Sequence, residues 1–263
     1  MNNTSKILYY ELQNTLRSRW IIGYTMFFFA VSLGIIQFSQ TLTQVVSSLL
    51  SIVLLILPLM GIIFGSFNYY SSKEFIEVLL TQPIGRSSVY YGKYLGLSIA
   101  LSAGFVLGVF TPIIFYGFKH NNDLSVVVIL LISGILLCFV FTGISFLVSI
   151  IFDDKVKGLG VSIIIWLYLS LIHDAIILAI TVSFSQYPLE RFLLFLTLMN
   201  PVDLARMMIL LKLDVAALMG YTGAVFSNYF GSVEGMVISF GMLSVWAVVP
   251  TIIGAYLFQG KDF

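Results

Sequence analysis

Long runs of apolar residues alternate with short polar stretches along the chain. A bilayer core of about 30 Å requires about 20 mostly apolar residues for each membrane-spanning helix. Six runs meet this requirement, and they cover residues 20–38, 44–66, 95–118, 124–151, 159–183 and 235–258. The runs lack the residue-by-residue alternation of membrane β-barrel strands. The pattern therefore predicts an all-α, polytopic membrane protein in which residues 1–263 form a single transmembrane domain with six spans.

The composition excludes several other classes of protein. Hydrophobic residues make up 59% of the chain and charged residues 10%, and the mean hydropathy is +1.04. Soluble domains carry about 25% charged residues, so this chain is expected to contact membrane lipids. A net charge of +1 gives no basic field to attract nucleic acid. The single cysteine, Cys138, excludes an intrachain disulfide and a thiolate metal cluster.

Lysine and arginine residues predict the orientation, because they concentrate on the cytoplasmic side of bacterial membrane proteins. If the N-terminus is inside, nine of the thirteen are cytoplasmic, namely Lys6, Arg17, Arg19, Lys73, Arg86, Lys93, Lys155, Lys157 and Lys261. The other four, Lys119, Arg191, Arg206 and Lys212, then lie outside. We therefore expect a multi-pass protein of the inner membrane with both termini in the cytoplasm.

Residues 6–19, before the first span, have the pattern of an amphipathic helix. Leu8, Leu12 and Leu16 recur every four residues among charged and polar neighbours, which places them on one helical face. Such a helix can lie along the membrane surface, with Trp20 marking where the chain enters the bilayer. The alternative is a short, frayed extension of the first span.

Between spans two and three, residues 67–94 form the most charged connection. Ser72 is placed to cap a short helix, with Glu74 and Glu77 in its first turns, and Pro83 ends it. The apolar edge of this helix consists of Phe75, Ile76, Leu79 and Leu80. A polar turn at residues 85–87 then leads to the third span. The pattern predicts a short amphipathic helix that can enter a groove on a partner protein.

Residues 73–86 and 92–96 are similar to the cytoplasmic coupling region of ABC-2 type transporter permeases. The shared features are an acidic helix with leucines, a Pro-x-x-Arg turn, and a Gly-Lys-x-x-Gly sequence at the start of the next span. The resemblance extends over the whole chain. It implies that cytosolic ABC ATPase subunits bind this helix and that two permease copies form the pathway. The partner-binding residues carried over from the family are Lys73, Glu74, Glu77, Leu79, Leu80, Pro83 and Arg86.

The chain has no Gly-x-x-x-x-Gly-Lys-Ser/Thr loop to hold ATP phosphates. Gly92-Lys93 is followed by tyrosine and has no glycine at the required earlier position. We therefore expect a subunit that is not itself an enzyme and binds no cofactor, with ATP and magnesium bound by the partner ATPase.

The connection at residues 184–234 is expected on the outer side and contains two apolar stretches. Asn200 can cap a helix that begins at Pro201, with Asp203 in its first turn. Arg206 follows at a spacing that allows it to pair with Asp203. We predict two short helices that dip into the outer leaflet or lie on it. The charges disfavour a seventh full span.

The sequence Asn200-Pro201-x-Asp203-x-x-Arg206, with residues 217–224, resembles one branch of the family. That resemblance implies work with a periplasmic accessory protein in the copper-site maturation of nitrous oxide reductase. Thioether sulfur suits copper(I), and the outer connection contains Met199, Met207, Met208 and Met219. Methionine also fills apolar space, and no close Met-x-x-Met pair or histidine cluster occurs, so we assign no metal site.

His173 and Asp174 are polar residues inside the fifth apolar run. An ionisable residue within a span faces the bundle interior or a wet cavity, so Asp174 has two interpretations, a functional group or an interhelical hydrogen bond. His173 is expected to be a packing residue. Adjacent side chains point about 100° apart on a helix, which disfavours one shared site.

Asp203, Arg206 and Asp174 are the candidate functional polar residues within the membrane or on its outer side. Three functions compete for the chain as a whole. The first is an ABC permease, for cofactor assembly or for export of lipid, drug or other cargo. The second is an ion-coupled carrier with Asp174 as a proton relay. The third, an intramembrane enzyme, lacks supporting motifs.

Overall fold

The computed structural model describes residues 3–39, 41–81, 83–116, 124–184, 186, 189–213, 223, 225–226 and 230–261. Over these residues the regular structure is entirely helical. The helices are α1 (Asn3–Leu16), α2 (Arg19–Phe38), α3 (Leu42–Ser71), α4 (Lys73–Leu80), α5 (Arg86–Tyr116), α6 (Leu124–Ile151), α7 (Lys155–Leu167), a π-turn (Tyr168–Ile172), α8 (His173–Ser183), α9 (Glu190–Leu198), α10 (Pro201–Leu213) and α11 (Ser232–Gln259). Lys119, Met219 and most of 217–224 lie outside the described residues.

Six helical segments of the described chain are long and apolar enough to cross a membrane, which confirms the predicted all-α polytopic fold. They are α2, α3, α5, α6, the continuous α7–π-turn–α8 segment, and α11. The predicted short helices of the outer connection correspond to α9 and α10. These two meet at a bend of 108° and would together be apolar enough for a broken span or a re-entrant loop.

The third span begins earlier than the sequence pattern predicts. Helix α5 starts at Arg86 instead of residue 95, so the turn expected at 85–87 already includes its first residues. The reason is packing, because Val89, Tyr90 and Tyr94 are buried in the core. Helices α3 and α5 have 30 and 31 residues. At 1.5 Å per residue each is about 45 Å long and extends beyond a bilayer core of about 30 Å.

A stripe of small residues on α5 brings the first two helices close to it. The stripe repeats every four residues and consists of Gly92, Gly96, Ala100, Gly104 and Gly108. A Cβ atom on Gly96 would lie 2.7 Å from Glu11 Cβ, and one on Gly104 would lie 2.7 Å from Thr25 Oγ1. Small residues allow such close approach between membrane helices. Helix α1 therefore packs against the start of α5, and α2 against its later turns.

Helix α6 forms the centre of the bundle and packs against α3, α5 and α11. Gly65 on α3 leaves room for Ser145 on α6. The Ser145 and Ser66 hydroxyls lie 2.9 Å apart, and Ser145 also donates to the Ile62 carbonyl at 2.9 Å. Helices α1, α4 and the end of α11 share one end of the bundle, called the terminal end below. Arg86 at the start of α5 reaches the last residues of α11 there.

Candidate functional sites

The short helix α4 has one face against the bundle and one face toward solvent. Ile76 is buried and anchors the helix, whereas Glu74, Glu77 and Val78 are exposed. The Val78 side chain is 60% exposed, although it is apolar. Glu77 and Val78 follow Glu74 by one helical turn, so the three residues share a side of the helix. The outward surface is therefore acidic with an exposed apolar residue beside the carboxylates, and we call it the α4 face.

The ends of α4 differ in detail from the sequence expectation. Ser72 does occupy the cap position, but its hydroxyl donates to the Asn68 carbonyl at 2.7 Å instead of accepting from α4. The helix ends at Leu80, before the exposed Pro83. Leu79 and Leu80 are half-buried against the hydrophobic core.

The two basic residues predicted to bind the partner contact their own chain. Lys73 Nζ lies 3.5 Å from Asp153 Oδ1, and Lys261 Nζ lies 2.9 Å from the same oxygen. Arg86 Nη1 donates to the carbonyl oxygens of Gln259 at 2.8 Å and Lys261 at 2.7 Å. The hydrogen bond and charge of Lys261 hold the pKa of Asp153 below its usual value. The acidic residues thus face outward, while Lys73 connects α4 to Asp153 and Arg86 connects α5 to the end of α11.

A buried ion pair beside α4 was not predicted from the sequence. Glu11 Oε2 of α1 lies 2.7 Å from Lys93 Nζ of α5, and Asn68 Nδ2 of α3 donates to Glu11 Oε1 at 2.7 Å. Both charged side chains are only 3% exposed. Phe75 of α4 lies over this pair, with its ring centre 5.8 Å from Lys93 Nζ and 5.8 Å from the Tyr10 ring centre. The pair therefore joins four helices at the terminal end.

The buried face of α1 is not the predicted leucine stripe. It consists of Ile7, Glu11 and Thr15, while the three leucines remain half-buried or exposed. The position of Lys93 between Gly92 and Gly96 explains the difference, since the glycines admit α1 and the lysine holds its carboxylate. The sequence signal for this buried face was the charged residue Glu11 next to Leu12.

A second polar cluster lies between span five and α10. The Arg206 guanidinium binds the Asp174 carboxylate through two hydrogen bonds, of 2.8 Å from Nη2 and 3.1 Å from Nη1. Its Nη1 also lies 3.2 Å from Asp203 Oδ1. His173 Nδ1 lies 2.9 Å from Asp203 Oδ2. Asn200 caps α10 by accepting from the Val202 amide at 2.9 Å. The predicted cap and the predicted Asp203–Arg206 pair are both present.

This cluster brings together residues that helical geometry alone separates. The side chains of His173 and Asp174 were expected to point apart, but Asp203 contacts the first and Arg206 contacts the second. One potential metal-ligating atom from each of His173, Asp174 and Asp203 lies within 4.8 Å of the others. His173 Nδ1 lies 2.9 Å from Asp203 Oδ2 and 2.9 Å from Asn200 Nδ2, so its hydrogen-bonding positions are already used within the cluster. Two carboxylates then face one guanidinium. A metal ion here would compete with Arg206 for the same oxygens, and the donor set does not fit a resident metal.

The depth of the cluster makes its charges unusual. Position 173 is 18 residues after the start of span five at residue 155, which corresponds to about 27 Å along the helix. The cluster is therefore within the apolar span and far from the terminal end. His173 and Asp203 are buried, whereas Asp174 is 40% and Arg206 29% exposed. Of the outer methionines in the described chain, Met207 and Met208 are buried and Met199 is exposed.

These features define a multi-pass helical membrane protein with an amphipathic helix between its second and third spans. The sequence profile of the family described as "ABC-2 family transporter protein" matches residues 6–263. The chain therefore belongs to this family of membrane subunits, which work with ABC ATPase subunits.

Two similar proteins carry a more specific name. The chain is 27% identical over 224 residues to the "Probable ABC transporter permease protein NosY" of Pseudomonas aeruginosa. It is 25% identical over 232 residues to the protein of the same name from Stutzerimonas stutzeri. Each match covers 79% of this chain and 81% of the relative.

Proposed function

We propose that this chain is the permease subunit of an ABC transporter in a bacterial or archaeal inner membrane, and that a separate cytosolic ATPase binds the α4 face. The observation that carries the proposal is the exposure of Val78 beside Glu74 and Glu77 on a helix anchored by Ile76. ATP and magnesium would bind the ATPase. The excess of basic residues at the terminal end supports a cytoplasmic location for that end.

The chemistry of the α4 face specifies what the partner has to offer. An exposed apolar side chain flanked by carboxylates fits an apolar pocket with lysine or arginine residues around it. Phe75 packs over the Glu11–Lys93 pair, so a push on α4 reaches α1 and α5 directly. Closure of two ATPase subunits would thereby change the packing of the spans. In this proposal, ATP binding to the ATPase supplies the free energy, and the movement of the ATPase displaces α4.

A second copy of the chain is part of the proposal. Charged groups near the centre of a bilayer cost about 2.5–3.5 kcal/mol each on insertion scales. Asp174 and Arg206 are partly exposed within the apolar span, so direct contact with lipid is unfavourable. A neighbouring permease or the wet pathway between two copies would cover them. Both oxygens of the Asp174 carboxylate accept hydrogen bonds from Arg206, which disfavours the alternative of a secondary carrier with Asp174 as a proton relay.

We further propose that the output of this chain is the one that its sequence resemblance implies, namely support for copper-site maturation of nitrous oxide reductase with a periplasmic accessory protein. The identities of 27% and 25% and the resemblance around Asn200 and Arg206 support this assignment. Export of lipid, drug or other cargo is the alternative within the same family. The genes adjacent to this one test the choice, since the proposal expects an ATPase, a periplasmic protein and the reductase.

Reversing the two negative charges on the α4 face tests whether the ATPase binds there. Glu74→Lys combined with Glu77→Lys is expected to weaken ATPase binding by about tenfold or more, because like charges would face each other across the interface. The measurement is the amount of ATPase captured by the tagged, detergent-solubilised permease as the ATPase concentration is varied. The variant should insert normally, since neither side chain is buried.

Glu234→Lys is the matched control. Glu234 is also an exposed acidic residue in the first turn of a helix, but it lies on α11 at the opposite end of the bundle. It should leave capture unchanged. Equal capture by the parent and the double α4 variant would refute docking on this face.

A further inference from the structure

Span five contains a π-turn at Tyr168–Ile172, immediately before His173. The His173 amide there donates to the Tyr168 carbonyl, five residues earlier, where an α-helix would use the residue four earlier. A π-turn thus inserts one residue into the helix and displaces its backbone hydrogen bonds, and such turns are frequent at functional sites. The insertion sits where span five meets α10.

Asn200, at the corner between α9 and α10, contacts this π-turn through its side chain. Its Nδ2 donates to the Leu169 carbonyl oxygen at 2.8 Å and lies 3.1 Å from Asp203 Oδ2. Asn200 Nδ2 also lies 2.9 Å from His173 Nδ1, so it is within hydrogen-bond distance of the π-turn and of both members of the His173–Asp203 pair. Its Oδ1 accepts from Val202. Asn200 is fully buried, and one side chain therefore satisfies the π-turn, the carboxylate and the start of α10.

A second connection runs in parallel. Arg206, six residues after Asn200 on α10, holds Asp174 just after the π-turn through two hydrogen bonds. Bidentate guanidinium–carboxylate pairs fix geometry more strictly than a single contact. The corner of α9 and α10 is thus fixed to span five on both sides of the inserted residue. Helix α9 continues from that corner at 108° to α10, with Met199 exposed beside it.

We propose that Asn200 is a positioning residue that couples the α9–α10 corner to the π-turn of span five. Transmission between distant sites requires an element with two discrete arrangements. A π-turn provides them, because its amides can bond either to the carbonyl five residues earlier or to the one four residues earlier. A nucleotide-driven change in span five would then move α9 at the end of the bundle opposite the ATPase. This proposal rests on the proposed function, because the ATPase provides the drive.

The test follows α9 through a reporter cysteine in the complex of permease and copurified ATPase. Cys138, the one native cysteine and a buried residue, is replaced by alanine, and Met199→Cys is added. The maleimide labelling rate is measured without nucleotide and after vanadate trapping of ATP. We expect the rate to change about threefold or more on trapping, and by less than about 1.5-fold when Asn200→Ser is added. Serine retains the helix cap but cannot reach the Leu169 carbonyl.

Thr197→Val is the matched control, since the buried Thr197 hydroxyl donates to the Leu193 carbonyl within α9 itself. It should keep the nucleotide response. If Asn200→Ser fails to accumulate, Arg206→Lys replaces it, because lysine keeps the charge but not the bidentate contact. The same loss of response is expected.

The outcomes separate the two proposals. An equal response in parent and Asn200→Ser overturns the role of Asn200 and leaves ATPase docking intact. An ATPase-bound parent that shows no response also overturns the coupling, because α9 then does not follow the nucleotide. Failure of any ATPase to copurify overturns the proposed function, and the coupling with it.

Discussion

Lys93→Met is expected to destabilise the folded protein by about 3–5 kcal/mol, because it leaves the Glu11 carboxylate buried without its cation. Both side chains are 3% exposed, so water cannot replace the lost contact. The uncharged Asn68 amide and Thr15 hydroxyl would remain as partners. The measurement is the free energy of unfolding in mixed detergent micelles, with the thermal midpoint in mild detergent as a second readout. Helix α1 should also become accessible to protease.

Two variants make this result specific. Lys6→Met removes an exposed lysine from α1 and should change stability by less than about 0.5 kcal/mol. Lys93→Met combined with Glu11→Met removes both charges and should recover most of the loss, as apolar replacements of buried ion pairs often do. If Lys93→Met unfolds at the same midpoint as the parent, the buried pair does not hold α1 in place.

Arg206→Ala is expected to cause a loss of similar size, about 3–5 kcal/mol, because two carboxylates inside the apolar span lose their shared cation. Asp174 and Asp203 would then lie close together without a guanidinium between them. The loss of stability arises chiefly at Asp203, which is buried. Asp174 contributes less, because it is partly exposed and its surroundings screen its charge. The measurement is the folded fraction recovered from membranes and its thermal midpoint in detergent.

Arg206→Lys separates charge from geometry at this position. Lysine retains the positive charge but cannot form the two-point contact with Asp174, so an intermediate loss is expected. Arg19→Ala, at an exposed position at the start of α2, should have little effect. Equal stability of Arg206→Ala and the parent would mean that the cluster does not hold α10 to span five.

Features that depend on local sequence were predictable. The spans are continuous apolar runs, so each span can be located from its own residues. The cap of α10 by Asn200 and the Asp203–Arg206 pair depend on residues within one helical turn. Such interactions follow from spacing alone, and the structure contains them.

The remaining features depend on residues far apart in the chain. Glu11 and Lys93 are 82 positions apart and Asp174 and Arg206 are 32 apart, and no periodic pattern relates such pairs. Arg86 was placed at the partner surface because the family resemblance concerns its Pro-x-x-Arg turn. In the folded chain it binds carbonyls at the end of α11. The π-turn has no characteristic amino-acid composition, so its position could be found only in the folded structure.

The most direct test of the central claim is a crosslink from α4. Val78→Cys in the Cys138→Ala background would carry a benzophenone maleimide. Leu178→Cys is the control, because Leu178 is similarly exposed but lies on span five. After illumination of membranes that contain the ATPase, we expect a covalent permease–ATPase adduct from position 78 and none from position 178. An ATPase-bound permease that gives no adduct from position 78, or equal adducts from both positions, would contradict docking on α4.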